Sequence, residues 1–141
     1  MKKWAGALLI EKSGKVILQK RDNNPDILNS GKITLFGGGV EELETTESCL
    51  KREIKEEVDI DIINFEYFGL YKKRQATHGD NCDCYVYLVR DVDIKRIKVN
   101  EGQGYILVSV SDNYLTEEYS LVTQSVLSDY FRESIKLDKL S

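Results

Sequence analysis

Residues 37–60 constrain this chain more than any other segment. Three glycines are followed by carboxylates at a fixed spacing, Glu53, Glu56 and Glu57. In an α-helix the positions i, i+3 and i+4 share one face, with Cβ atoms about 5–6 Å apart. Three like charges so close repel one another, and a hard divalent cation, which takes oxygen ligands, removes that repulsion. A solvated acidic face has the same spacing, but the upstream glycines and the apolar stripe across the helix favour a metal site.

The segment resembles the Nudix box, G-x5-E-x7-R-E-U-x-E-E-x-G-U, in which U is a bulky aliphatic residue. The matching positions in this chain are Gly38, Glu44, Arg52, Glu53, Ile54, Glu56, Glu57 and Ile60. The one departure is Asp59, which stands where the family has glycine. A helix often ends there in a left-handed residue, and Asp is among the few residues besides glycine that tolerate this conformation. The departure therefore concerns the turn and leaves the carboxylates untouched.

The resemblance implies an α/β protein, a Nudix-type α/β/α sandwich with a mixed sheet, as a single domain over residues 1–141. It implies a hydrolase of a nucleoside diphosphate linked to a further moiety, with Mg²⁺ or Mn²⁺ as cofactor. The metal ligands that it implies are Glu53, Glu56, Glu57 and the backbone carbonyl of Gly37.

Arg52 has a supporting role in this interpretation. A guanidinium binds carboxylates in a bidentate fork, so we expect Arg52 to pair with Glu44, to hold Glu53 in one rotamer and to offset the repulsion along the helix.

The glycine run and nearby cations are candidate substrate contacts. Without a Cβ atom, the backbone at Gly37 and Gly38 can approach a phosphate. Arg21 ends the second predicted strand, which lies near the glycine loop in this fold, so we expect it to contact phosphate. The basic run at 72–74 is an alternative contact, although charge at a strand end is usually only solvated.

The group that deprotonates water is left open by the sequence. The single histidine, His78, lies in a polar loop and is best explained as solvated. Glu56 or Glu57 can act on bound water directly. Glu101 precedes two glycines within three residues and resembles the metal-binding loop glutamate of MutT-type members; such a loop can swing toward a metal.

A second metal site is a weaker interpretation. Cys82 and Cys84 lie on one face of a strand, four and six residues after His78. A structural zinc site needs four ligands and usually has two residues between the cysteines. We therefore interpret both cysteines as core or edge-strand residues.

Composition excludes several classes of protein. The 141 residues have a formal net charge of −4, which argues against a nucleic-acid binder, since such proteins show a basic field. The sequence shows neither a long apolar run nor a signal peptide, so no membrane partner is expected. Three cysteines do not make a disulfide framework and favour a cytoplasmic location. The expected partner is a small-molecule nucleotide, and the sequence leaves open whether the chain forms a homodimer.

Patterning predicts the secondary structure. Strands are expected at 3–10, 15–20, 33–36, 61–70, 81–89 and 106–110, with a strand or loop at 94–99. Helices are expected at 46–58, with Thr45 or Thr46 as N-cap, and at 119–135. The first helix should bury Leu50, Ile54 and Val58. The second should turn the following residues inward: Leu121, Val122, Ser125, Val126, Ser128, Tyr130 and Phe131.

Substrate preference follows only by elimination among the types within the family. The ADP-ribose type has a proline where Gln75 stands, and the diadenosine-polyphosphate type has a tyrosine where Ala76 stands. The NADH type needs a proline-rich motif, and Pro25 is the only proline. The preferred hypothesis that remains is cleavage of a nucleoside triphosphate, as in MutT. An ADP-ribose or nucleotide-sugar pyrophosphatase is the alternative, and a non-catalytic ligand-sensing or interaction module is the alternative from another class.

Overall fold

A computed structural model describes residues 2–23, 30–73, 81–100 and 103–140, with side chains described as far as residue 135. The described strands are β1 Lys2–Glu11, β2 Val16–Lys20, β3 Ile33–Thr34, β4 Phe36–Gly39, β5 Glu66–Lys73, β6 Cys82–Val92 and β7 Tyr105–Val108. The helices are α1 Thr46–Val58 and α2 Leu121–Leu140, with a 3₁₀ turn at Ile94–Arg96.

The strands form one mixed sheet. Its order is β3-β2-β1-β6-β5, with β4 beside β1 and β7 beside β2. β1 and β6 are parallel, and the other described pairings are antiparallel. β1 pairs with β2 around Leu9 and with β4 around Gly6, opposite Gly37. The glycine run is therefore held in the sheet beside the first strand.

Two apolar clusters cover opposite faces of this sheet. On one face Leu50 and Ile54 of α1 pack with Leu9 and Ile17. On the other face α2 packs on neighbouring sheet positions such as Leu8. Central strands are buried on both sides because helices cover both faces. The prediction of an α/β/α sandwich with a mixed sheet is confirmed.

The first helix has the bounds that the sequence predicts. The Thr45 hydroxyl accepts a hydrogen bond from the Ser48 N–H at 3.0 Å and thus caps the helix. The predicted core residues Leu50, Ile54 and Val58 are fully buried.

Several predicted bounds differ from the structure, including the single strand expected at 33–36, which is divided into β3 and β4. Two further errors concern packing. Residues 61–65 precede β5 rather than belonging to it; Asp61 pairs with Lys55 at 3.2 Å, and Ile62 is buried against α1. On α2, Leu121 is 78% exposed and Ser125 is also exposed. The buried face of α2 begins at Thr123 rather than at Leu121 and continues at helical spacing. It consists of Thr123, Val126, Leu127, Tyr130 and Phe131.

Asp59 ends α1 in the left-handed conformation, with φ 60° and ψ 36°. We expect Asp59→Gly to raise the free energy of unfolding, because glycine adopts this conformation without strain. The gain should stay below ~1 kcal/mol, since glycine also increases the entropy of the unfolded chain. Urea unfolding would measure it, and activity should change little.

The control is Asp61→Asn. Asp59 and Asp61 both pair with Lys55, at 3.3 and 3.2 Å. The stability of Asp61→Asn therefore measures the loss of an exposed ion pair without any change in backbone strain at position 59. A lower stability of Asp59→Gly than of Asp61→Asn would contradict the assignment of strain to Asp59.

Candidate active site

The acidic face of α1 packs against the glycine run. A Cβ atom at Gly38 would lie 2.2 Å from the Glu53 carboxylate carbon and 2.3 Å from its Oε1. The Glu53 carboxylate therefore occupies the space that a side chain at position 38 would need. Only glycine at this position permits so close a contact between α1 and β4.

Glu57 joins the helix to the same strand. Its Oε1 accepts a hydrogen bond from the Gly37 N–H at 3.0 Å, and the residue is only 4% exposed. Gly37 is itself tightly enclosed, since a Cβ atom there would lie 2.4 Å from the Ala5 carbonyl oxygen and 2.5 Å from the Gly6 Cα. A buried carboxylate is thus held by main chain that cannot move away.

Arg52 organises the carboxylates around it. Its Nε and Nη2 donate to the two oxygens of Glu44 at 2.8 and 2.9 Å, and Nη1 donates to Glu53 Oε1 at 2.8 Å. Nη2 also donates to the Gly39 carbonyl at 3.2 Å, and Nη1 lies 3.6 Å from Glu56 Oε2. The geometry has the fork to Glu44 and the contact to Glu53 that the sequence predicts.

The fork determines the charge state of Glu44. The hydrogen bond from Arg52 lowers the pKa of Glu44 from 4.5 to about 2. For a carboxyl group whose pKa falls on folding, the stabilisation is fully present above the ordinary pKa and is lost as pH falls through the folded value. The fork therefore stays intact at neutral pH and opens between about pH 4.5 and pH 2.

Cys49 is a site residue that the sequence reasoning missed. Its Sγ lies 3.5 Å from the carbonyl oxygens of both Gly38 and Gly39, and Arg52 Nη2 lies 3.8 Å from Sγ. Burial raises the pKa of the Cys49 thiol to about 12, so the thiol keeps its proton and donates to these carbonyls. No spacing rule marks an isolated cysteine in a helix as such a contact.

The donor set has the chemistry of a site for a hard cation, since its side chains offer only carboxylate oxygens. The side chains themselves take other partners: Glu53 binds Arg52, and Glu57 binds the Gly37 amide. Glu56 points outward, with 57% of its side chain exposed. Within the described ranges no three acidic, histidine or cysteine side chains are placed to hold one ion.

Arg21 lies just beyond the end of β2. Its main-chain N–H donates to the Lys32 carbonyl at 3.0 Å, and its buried Nε has no hydrogen-bond partner in the part of the chain that the structure describes. Neighbouring Lys20 donates from Nζ to the Gly31 carbonyl at 2.6 Å. The Lys20 ammonium thus already has one acceptor, whereas the buried Arg21 Nε has none among the described residues.

Some predicted residues lie outside the described residues, namely Glu101, His78 and Arg74. The chain on both sides of Glu101 is described. The Asn100 N–H donates to the Glu57 carbonyl at 2.8 Å, and the Gln103 N–H donates to the Lys20 carbonyl at 2.8 Å. Cys82 and Cys84 are free cysteines of β6, which lies inside the sheet between β1 and β5.

The fold is the expected α/β/α sandwich, and it brings the glycine run together with the acidic face of α1. A family model for the NUDIX domain matches residues 2–125, so the chain belongs to the Nudix family. Enzymes of this family generally use divalent metal ions.

Solved structures share the fold at low sequence identity. The crystal structure of a MutT NUDIX hydrolase from Burkholderia pseudomallei has a TM-score of 0.77 and 24% identity, over 90% of this chain and 95% of that one. The MutT protein from Methanosarcina mazei Go1 has a TM-score of 0.80 and 22% identity, over 94% of each chain.

Two curated relatives match over shorter stretches. The NAD-capped RNA hydrolase NudC of Vibrio vulnificus is 50% identical over 40 residues, which are 28% of this chain. The protein of the same name from Vibrio atlanticus is 38% identical over 60 residues, or 38% of this chain. The aligned stretches span only 15% and 22% of these relatives. No helix among the described residues is long and apolar enough to cross a membrane.

Proposed function

We propose that this protein hydrolyses a nucleoside diphosphate linked to a further moiety, with Mg²⁺ or Mn²⁺, and that nucleoside triphosphates are its preferred substrates. The observation that carries this proposal is the packing of the intact acidic face of α1 against the glycine run, with Arg52 hydrogen-bonded to Glu53 of that face and to Glu44 just before the helix. A family member that had become a ligand sensor would have no need to keep every carboxylate in this arrangement.

Glu53, Glu56 and Glu57 would hold the cation, together with the Gly37 carbonyl. The cation, when bound, lowers the pKa of water and neutralises charge on the phosphate oxygens. Arg52 fixes the direction of Glu53, and the Gly37 amide fixes that of Glu57. Both carboxylates are thus oriented before substrate arrives, which lowers the entropy cost of reaching the reactive geometry.

Glu56 is the carboxylate best placed to receive a proton from water, because it is the most exposed of the three. In the proposed reaction the water oxygen bonds to one phosphorus of the pyrophosphate, and its proton passes to Glu56. The bond between that phosphorus and the bridging oxygen breaks, and its electron pair leaves with the bridging oxygen. The products are two phosphorylated molecules.

Arg21 would bind a phosphate of the substrate. A buried guanidinium N–H without a partner carries a desolvation cost, and a phosphate oxygen is a fitting acceptor for it. This agrees with a small anionic nucleotide as partner. The free cysteines of the described chain are compatible with a cytoplasmic location.

A screen of nucleotides with Mg²⁺ or Mn²⁺ tests the proposal. Each nucleotide is incubated with the enzyme, and phosphate is measured after adding inorganic pyrophosphatase or, in a parallel series, phosphatase. We expect a nucleoside triphosphate to give the monophosphate and pyrophosphate, and EDTA to abolish the reaction. Absence of hydrolysis with every nucleotide and both metals would favour a ligand-sensing module.

A dinucleotide substrate is the second candidate. It is favoured by the local identity to proteins named as NAD-capped RNA hydrolases, which reaches 50% over 40 residues. The same screen should therefore include NAD, ADP-ribose, a nucleotide sugar and an NAD-capped oligonucleotide. Faster cleavage of one of these than of any triphosphate would replace the first candidate.

Glu101 is proposed as a further ligand or base. We expect Glu101→Gln to lower kcat by about tenfold, a barrier increase of ~1.4 kcal/mol, while the metal affinity of the free enzyme stays nearly unchanged. Calorimetry with Mn²⁺ would measure that affinity. If Mn²⁺ binding falls as far as in Glu57→Gln, Glu101 is a ligand of the free enzyme; an unchanged kcat would remove it from the mechanism.

A further inference from the structure

The C-terminal end of α1 is closed by a segment that follows much later in the chain. The last carbonyls of an α-helix have no partners within the helix and need donors from elsewhere. Here the Val58 carbonyl accepts from the Lys98 N–H at 3.2 Å. The Lys55 carbonyl accepts from the Asp59 N–H at 3.0 Å.

One residue supplies both remaining donors. The Asn100 main-chain N–H donates to the Glu57 carbonyl at 2.8 Å, and Asn100 Nδ2 donates to the Glu56 carbonyl at 2.9 Å. These two carbonyls belong to two of the proposed metal ligands. Asn100 therefore contacts the backbone of the residues whose side chains carry the chemistry.

The same stretch of chain is attached to β2. The Gln103 N–H donates to the Lys20 carbonyl at 2.8 Å, and the Lys20 N–H donates to the Gly104 carbonyl at 3.0 Å. Main-chain hydrogen bonds thus join one end of the segment, at Lys98 and Asn100, to the last turn of α1. They join its other end, at Gln103 and Gly104, to the end of β2 next to Arg21.

We infer that Asn100 is a positioning residue, which holds the last turn of α1 so that Glu56 and Glu57 project at a fixed angle. The inference rests on the proposed function for its effect on catalysis. Asn100 is exposed, and a hydrogen bond at the surface adds little to global stability because water replaces it. Its two bonds to adjacent carbonyls instead fix local backbone direction.

The test compares Asn100→Ala and Asn100→Asp with wild type. Neither side chain can donate at neutral pH, and Asp keeps the volume of Asn. We expect kcat to fall at least about tenfold with KM little changed, and amide hydrogen exchange in the last turn of α1 to rise. The melting temperature should change little. The control is Asn113→Ala, which removes an exposed asparagine whose Oδ1 accepts locally from the Leu115 N–H at 3.4 Å.

Amide hydrogen exchange tests the contact between Asn100 and the last turn of α1 without any substrate. Unchanged exchange in the last turn of α1 would overturn the inference whatever the activity. Raised exchange with unchanged kcat would also overturn it, because Asn100 would then be only a helix cap. If Asn100→Ala fails to fold, Asn100→Asp provides the same readouts. A wild-type enzyme that hydrolyses no nucleotide would overturn the proposed function, and exchange would still report on the contact.

Discussion

Glu57→Gln and Glu56→Gln should each lower kcat by about 100-fold or more, which corresponds to a barrier increase of ~2.7 kcal/mol. The substitution keeps the shape of the side chain and removes the charge that binds a cation. In Glu57→Gln the amide oxygen can still accept from the Gly37 N–H, which is 3.0 Å from Oε1 in the wild type. A loss of activity would then not be explained by loss of this hydrogen bond. Steady-state kinetics with the substrate found by the screen measures it.

The stability of the same variants shows whether a loss of activity comes from a loss of catalysis or from a loss of folded protein. In EDTA, Glu57→Gln and Glu56→Gln should unfold at a denaturant concentration no lower than wild type, because repulsion between like charges on α1 is relieved. Glu47→Gln is the matched control, since Glu47 is an exposed acid in the first turn of the same helix. If Glu56→Gln or Glu57→Gln keeps more than about a tenth of wild-type activity, that residue is not an essential ligand.

The parts of the site that the sequence predicts are those governed by local rules. The bounds of α1 follow from the hydroxyl of Thr45 and from an apolar stripe of helical period, and both are local. The Arg52 fork follows from the same helix and from the Glu44 just before it. Asp59 could be expected in a left-handed conformation because a helix must end there and glycine is the usual residue at that point of the box.

The parts that the sequence does not predict depend on contacts between distant segments. Asn100 reaches the end of α1 across 44 positions of sequence, and no period or spacing marks it. In the sequence Cys49 is only one more apolar residue of α1, and its contact with the glycine carbonyls becomes visible only in the structure. The error on α2 has a different cause: Leu121 is apolar and begins the helix, yet the buried stripe starts at Thr123, so hydrophobicity alone gives the wrong phase.

The glycine run permits a test of the packing between α1 and β4. We expect Gly38→Ala to lower kcat by about 100-fold, or ~2.7 kcal/mol, while the protein still folds. The new Cβ atom would lie 2.2 Å from the carboxylate carbon of Glu53, so that carboxylate must move. A carboxylate is the end of a flexible side chain, but here Arg52 binds it at 2.8 Å. The displacement therefore disturbs Arg52 and a proposed metal ligand together, and leaves the apolar core in place.

The neighbouring glycines, Gly37 and Gly39, provide control variants for Gly38→Ala. A Cβ atom at Gly39 meets nothing within 4 Å, so Gly39→Ala should have near wild-type kcat and stability. At Gly37 the new atom would meet backbone, at 2.4 Å from the Ala5 carbonyl oxygen; since the ladder with β1 cannot yield as a side chain can, Gly37→Ala should chiefly lose stability. Kinetics and thermal unfolding of all three variants distinguish these outcomes. Equal kcat in Gly38→Ala and Gly39→Ala would mean that the position of Glu53 against the glycine run is unimportant for catalysis, and it would remove Glu53 from the proposed ligand set.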